Sequence, residues 1–277
     1  MKFENIRVMN FENALRGMRN PKDSWHLSDS RFGLARFADI EHEMRDIYDS
    51  QDELDAAYKN HILYSNGGCV EYAFIGPKDM RLAKTLIKGG SEHRKFLRQI
   101  FVSVDITAPL YWFKEFDTYK VGTVANSTST MHTIHKTPVS IDSFEIDDYH
   151  PDLTLIDDVP LGLRVGLFID DLEQLRQLYL KYTDDAKAET DPVKKAELTK
   201  LAKKYWKELI RWTPDAWLQT RTVTMTYENL LAMCSPGQRR YHKLNEWSGI
   251  DDETLDHFVN MARQLPYAQD LIFTDEE

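Results

Sequence analysis

The chain has 277 residues, 42% of them hydrophobic and 29% charged, with a formal net charge of −10. That length and composition suit a globular protein with a real core, and the acidic balance excludes sequence-independent binding to DNA or RNA, which needs a basic surface. Two cysteines, Cys69 and Cys234, make neither a disulfide framework nor a metal cluster and point to a reducing compartment, the cytoplasm.

The opening "MKFENIRVMNFENALRGMRN" has scattered charges and no long apolar region, so it reads as no signal peptide. No run of about 18 apolar residues exists to span a membrane. "NGG", Asn66 to Gly68, is a turn and not a phosphate loop. "GPKDMRLAKTLIKGG" is a helix, with Pro77 in its first turn and Gly89-Gly90 as its stop. "IFVSVDIT" sets Val102, Val104 and Ile106 against Ser103 and Asp105, the alternation of a strand. After Pro109, "LYWFKEFDTYK" predicts a helix bearing Tyr111, Trp112, Phe113, Phe116 and Tyr119, either as core or interface, or as a stacking surface for a flat heterocycle. "NSTST", Asn126 to Thr130, offers small donors that suit an anion or a pyrimidine edge, or a plain polar loop. His132 and His135 in "MHTIH" lack the further ligands that zinc needs.

The acidic pairs Asp147-Asp148, Asp157-Asp158 and Asp170-Asp171 read as loop or cap residues, because neighbouring acids on a strand face opposite ways. Residues 170–211 read as a helical hairpin broken near Asp184 to Pro192. Leu172, Leu175, Leu178 and then Leu198, Leu201, Leu209 recur at helical spacing, and Asp191-Pro192 starts the second arm. "TRTVTMTY" is a strand with one polar threonine face, and "ENLLAMC" is a helix interrupted by "SPGQRRYH". In that interruption Arg239, Arg240 and His242 crowd one turn, and guanidinium groups match phosphate oxygens in pairs. A last helix is expected from about Asp252 to Gln264, with Asp251, Asp252 and Glu253 complementing its dipole. The fold class is α+β with helices in the majority, as a single domain over 1–277.

The order of these features resembles the flavin-dependent thymidylate synthases, the ThyX family. There a histidine-bearing segment leads into a strand. A helix ending in R-H-R-x-x-S, an N-E-x-S tract, and later a strand and a helix with an arginine and a histidine follow. Here His93 precedes the strand in the place of the family's first histidine, and Gln99 stands where the family puts a flavin-contacting one. Asn126 and Ser129 match the ends of the N-E-x-S tract, and Ser127 replaces its glutamate. "RRYHKLNEW" resembles the arginine–histidine segment, and "NALRGMRNPKDSW" the early A-R-x-S region. Where the family has R-H-R-x-x-S this chain has "YKVGTV", Tyr119 to Val124, with Lys120 its one cation.

The resemblance spans residues 13–22 and 88–247. It implies a ThyX-like fold, with a mixed or antiparallel sheet, several long helices and the hairpin at about 170–211 as an insertion. It also implies a nucleotide site of Lys120, Asn126, Ser127, Ser129, Arg239, Arg240 and His242. FAD would lie beside His93, Gln99 and Lys114. The implied activity is reductive methylation of dUMP with methylenetetrahydrofolate, in a homotetramer whose sites are shared between subunits. With the arginines gone the chain also resembles uncharacterised phage-encoded relatives. That implies the alternative, a catalytically inactive protein that binds or sequesters a nucleotide or a nucleotide-derived signal. The implied partners are thus a small-molecule nucleotide and further copies of the chain, with no nucleic acid and no membrane.

Overall fold

A computed structural model describes residues 1–48, 50–249 and 257–274, apart from the side chains of 239–241. In chain order the N-terminal elements are β1 (Lys2–Met9), α1 (Phe11–Arg19), β2 (Arg31–Arg36), α2 (Phe37–Ile47), α3 (Gln51–His61), β3 (Ile62–Asn66), β4 (Cys69–Phe74) and α4 (Pro77–Lys88). Next come β5 (Phe101–Pro109), α5 (Leu110–Phe116), β6 (Val124–Ser127), α6 (Thr130–Thr133), α7 (Leu161–Ala188) and α8 (Pro192–Trp212). The chain continues through β7 (Leu218–Thr226), α9 (Tyr227–Cys234), α10 (Pro236–Tyr241), α11 (Asn245–Ser248), α12 (Phe258–Arg263) and α13 (Ala268–Leu271). No helix among the described residues is long and apolar enough to cross a membrane.

One sheet has the order β1-β5-β7-β6 and a second the order β2-β4-β3. The alternation read in the sequence is what the first sheet uses. Val102, Val104 and Ile106 are fully buried, each contributing about 1.5–3 kcal/mol over an exposed state. Their polar neighbours make a hydroxyl-rich opposite face. Thr222 donates to Asp105 at 2.5 Å, and Thr107 and Thr220 share a hydrogen bond of 2.7 Å. The Tyr227 N–H donates to the Ile100 carbonyl and that of Leu110 to Trp217, so β5 and β7 run antiparallel. In the second sheet β4 pairs antiparallel with both β2 and β3. The "NGG" stretch turns β3 into β4, with Gly67 and Gly68 at φ 58° and 91°, a region glycine enters without a Cβ clash.

The chain divides into two compact units, with boundaries inside β5, β6 and β7. The smaller unit holds Thr107–Glu115 and Ser127–Arg221. Its core packs Ile134, Val139 and Phe144 against Ile169, Leu172 and Leu209 of the α7–α8 hairpin. The break in the hairpin spans Glu189–Asp191, and Asp191 caps α8 by accepting from the Val193 and Lys194 N–H groups. Glu173 on α7 accepts from Arg176 Nε and Nη2 and from the Val139 N–H, each at 2.7 Å. Arg176 above all, then that N–H, pulls the Glu173 carboxyl down to about 2, against the opposing effect of burial. The folded pKa is depressed, so this stabilisation is complete above the usual 4.5 and lost as pH falls toward 2. After solvent screening it is about 1–2 kcal/mol. Urea midpoints across that window should fall more steeply for the wild type than for Glu173→Gln, the excess being the part due to Glu173; parallel curves would contradict this.

The larger unit holds Lys2–Ile106, Phe116–Asn126 and the described residues from Thr222 on. One of its clusters packs Ile40, Met44, Leu54, Ala57 and Val70 where α2 and α3 cover the second sheet. α3 ends in a buried histidine. His61 Nε2 meets the Tyr48 hydroxyl at 3.0 Å, Nδ1 meets the Tyr267 hydroxyl at 2.7 Å, and the ring stacks on Phe74. The Tyr267 hydroxyl also takes the Ile75 N–H and donates to the Ala73 carbonyl, both at 2.9 Å. Burial pushes the His61 pKa down, so the neutral ring is the folded form.

Beneath α4 lies a second buried polar centre. Asp79 accepts from Arg19 at 2.5 Å and from the Ser28 and Ser30 hydroxyls at 2.6 Å. Asp29 caps the same helix by accepting from the Lys78 and Asp79 N–H groups. Gly76 makes room for that cap, since a Cβ there would stand 2.4 Å from the Asp29 carboxylate oxygen.

Candidate functional site

The "YKVGTV" stretch is not the end of a helix. α5 stops at Phe116, with Trp112, Phe113 and Phe116 buried in the core and Tyr111 and Tyr119 half-buried. Asp117 and Thr118, poor helix formers, lead into a turn. There the Tyr119 N–H donates to the Phe116 carbonyl, and the Thr123 hydroxyl donates to the Tyr119 carbonyl. Gly122 closes the turn at φ 84°, and a Cβ on it would lie 2.9 Å from Asn229 Oδ1. Both reasons require glycine.

Two side chains tie this turn down. Asn229 belongs to a reciprocal cap at the start of α9: its Oδ1 accepts from the Thr226 N–H and hydroxyl, and Thr226 Oγ1 accepts the Asn229 N–H. Its Nδ2 is left to donate to the Val121 carbonyl at 2.6 Å. Gln238 on α10 donates to the Tyr119 hydroxyl at 2.6 Å. Lys120, between those anchors, is exposed and has no ion pair among the described residues.

An aromatic floor supports the turn. Trp247 is fully buried, its ring 5.6 Å from Tyr119 and 4.5 Å from His242, the latter stacked at 11°. His242 Nδ1 accepts the Leu244 N–H at 3.3 Å, which places the neutral ring's proton on Nε2. Glu228, the acid in the first turn of α9, is engaged by Arg94 at 3.0 and 3.1 Å and by Arg98 at 3.9 Å.

The other expected residues are placed as follows. Arg239 and Arg240 follow Gln238 on α10, and their side chains lie outside the described residues. "SPGQRRYH" is therefore a short helix entered at Pro236, and the break after α9 is Ser235 alone. Asn126 and Ser127 are exposed on the edge strand β6. Ser129 precedes α6 and is half-buried. The donors around Ser129 are spent internally: the Thr128 N–H and hydroxyl donate to the Thr220 carbonyl, and Gln219 donates to the Thr128 carbonyl and the Thr130 hydroxyl. His93 is exposed beside Gly89, and the Gln99 side chain lies over Gly17 of α1. Lys114 pairs with Asp215. The acids at 251–253 lie outside the described residues. No cluster of His, Cys, Asp and Glu among the described residues could hold a metal ion. A cleft of about 510 Å³ in the larger unit, lined by Ile6, Val8, Phe37, Tyr58 and Leu265, contains none of the expected site residues.

The candidate site is thus an exposed ammonium on a clamped turn, bonded to α10 through Gln238 and resting on a stacked aromatic base. Asn229, Gln238 and the Arg94–Glu228 pair were not foreseen. The T-x-x-N spacing of Thr226 and Asn229 is a capping signal, but nothing local announces that the same amide reaches Val121.

No protein-family profile matches the chain, and neither does any curated protein. Solved structures do. The flavin-dependent thymidylate synthase ThyX from Helicobacter pylori, complexed with FAD and dUMP, aligns with a TM-score of 0.51 at 13% identity, covering 99% of each chain. A second crystal structure of the Helicobacter pylori enzyme with FAD and dUMP aligns at 0.41 and 14% identity, over 90% of this chain and 98% of that one.

Proposed function

With a ThyX-like α+β fold as the starting point, we propose that the chain is a nucleotide-binding protein whose phosphate site is the Lys120 turn and α10. The observation that carries this is the double anchoring of that turn, by Asn229 at 2.6 Å and Gln238 at 2.6 Å. It presents an ammonium with no ion pair among the described residues, on a turn bonded to the helix that carries Arg239 and Arg240 in sequence. His242 adds a ring held against Trp247. Calorimetric titration with dUMP should show saturable one-site binding. Lys120→Met, Arg239→Gln and Arg240→Gln should each weaken it by about 1.5–3 kcal/mol, the usual loss of a charged hydrogen bond. Unchanged affinity in all three would defeat the proposal.

The residues present do not fit a flavin. Holding its pyrophosphate takes several cations. Beside Gly122 the turn instead offers Val121, 89% exposed, and Val124, 66% exposed. Lys114, expected to contribute, is paired with Asp215. No hydride step is therefore derived, and the reading favoured is binding or sequestration of a nucleotide without flavin chemistry. The rival reading, methylation of dUMP on FAD, is supported by the alignment over 99% of the chain to an enzyme crystallised with both ligands. Purified protein that is yellow, and releases flavin on denaturation, would select the rival. A homotetramer belongs to the same proposal. Exposed Leu163, Leu167 and Trp212 on the hairpin support self-association, and light scattering giving the mass of one chain would remove it. Cytoplasmic residence rests on the two cysteines, and a phage source on the sequence resemblance.

A further inference from the structure

We infer that Gln238 and Asn229 are positioning residues of the nucleotide site, acting through Tyr119 and Val121 to hold Lys120 and α10 against one anion. The inference rests on the nucleotide-binding reading and goes beyond it by assigning work to two neutral side chains bonded to the turn. A lysine on a free turn would sample many positions, and ordering it would oppose binding. Here the turn is fixed at both sides of Lys120. On one side Gln238 Nε2 donates to the Tyr119 hydroxyl at 2.6 Å. On the other, Asn229 Nδ2 donates to the Val121 carbonyl at 2.6 Å. Gln238 immediately precedes Arg239, so the bond that fixes the turn also fixes the register of the arginine-bearing helix. Asn229 is over-determined in turn, its Oδ1 locked by two donors from Thr226 at 3.0 and 2.7 Å. Gly122 lets the turn approach Asn229 this closely. Such locked supports behind a binding group are what set it in advance of the ligand.

Gln238 is exposed, so its replacement does not threaten the core. The test is dUMP titration of full-length wild type, Gln238→Leu, Tyr119→Phe, Lys120→Met and the pairwise combinations, with thermal midpoints measured alongside. Gln238→Leu and Tyr119→Phe should each weaken binding about threefold to tenfold, the double variant no more than either single, as expected for one shared bond. Lys120→Met should cost less in the Gln238→Leu background than in the wild type, because the ammonium is already misplaced. Thermal midpoints of Gln238→Leu and wild type should coincide. A merely structural role would move the midpoint and leave the Lys120→Met effect intact. If wild type binds dUMP and Lys120→Met weakens it while Gln238→Leu changes nothing, or if Gln238→Leu and Lys120→Met simply add, the positioning role is wrong and the nucleotide site stands. If wild type fails to bind dUMP, both fall.

Discussion

Asp79→Ala should lower the unfolding free energy of the larger unit by about 3–5 kcal/mol, the cost of leaving one partner of a buried ion pair behind. Asp79 is fully buried and Arg19 is 5% exposed, so water cannot replace the missing carboxylate. The loss is compounded by the Ser28 and Ser30 hydroxyls, which both donate to Asp79 Oδ2. Burial raises the Asp79 pKa, but the two hydroxyls and Arg19 more than offset it and hold the carboxyl below its usual 3.8. A depressed carboxylate stabilises fully above that value and loses its effect as acid protonates it. Asp79→Asn, which keeps the hydroxyl bonds and discards the charge, should fall between wild type and alanine. Urea unfolding followed by circular dichroism reads all three, and an alanine variant within about 1 kcal/mol of wild type would mean that Arg19 finds another partner.

Trp247→Ala should cost about 3–5 kcal/mol, the range for deleting a large buried aromatic, and it should also damage the candidate site. The indole is the hub of a ring cluster, with centroids of Phe258 at 5.1 Å and Phe116 at 6.5 Å as well as those of Tyr119 and His242. Its Nε1 donates to the Met233 carbonyl at 3.2 Å, which ties α11 to α9. Removing it takes the floor from under the two rings that border the Lys120 turn. Trp247→Phe keeps most of the packing and loses the hydrogen bond, about 1 kcal/mol, so it should retain dUMP binding that the alanine variant loses. Equal binding by both variants would separate the floor from the site.

Elements with strong periodicity were readable from the residues alone. Val102, Val104 and Ile106 marked β5, Val223 and Met225 marked β7, and Pro77 with Gly89 bracketed α4, because each signal lies within a few residues of its effect. α7 was harder. It begins at Leu161, well before the expected Asp170, because Gly162 and Gly166 disguise the start of its apolar stripe. The aromatic helix was expected to reach Lys120, yet it ends at Phe116, where Asp117 and Thr118 favour a turn that Asn229 and Gln238 then hold. The second sheet drew no reading beyond its "NGG" turn, since β2 and β3 carry few buried residues. Of the candidate site, two expected residues, Lys120 and His242, stand at the clamped turn and its aromatic floor. The clamp was not, because its two bonds join residues 108 and 119 positions apart, a separation no local pattern encodes.

The Tyr267–His61 bond joins residues 206 positions apart. On a ribosome, His61 emerges long before its partner, and the strands that surround it must wait, with their polar centre unsealed, until Tyr267 has left the exit tunnel. Folding of this unit is therefore bound to be late and non-local.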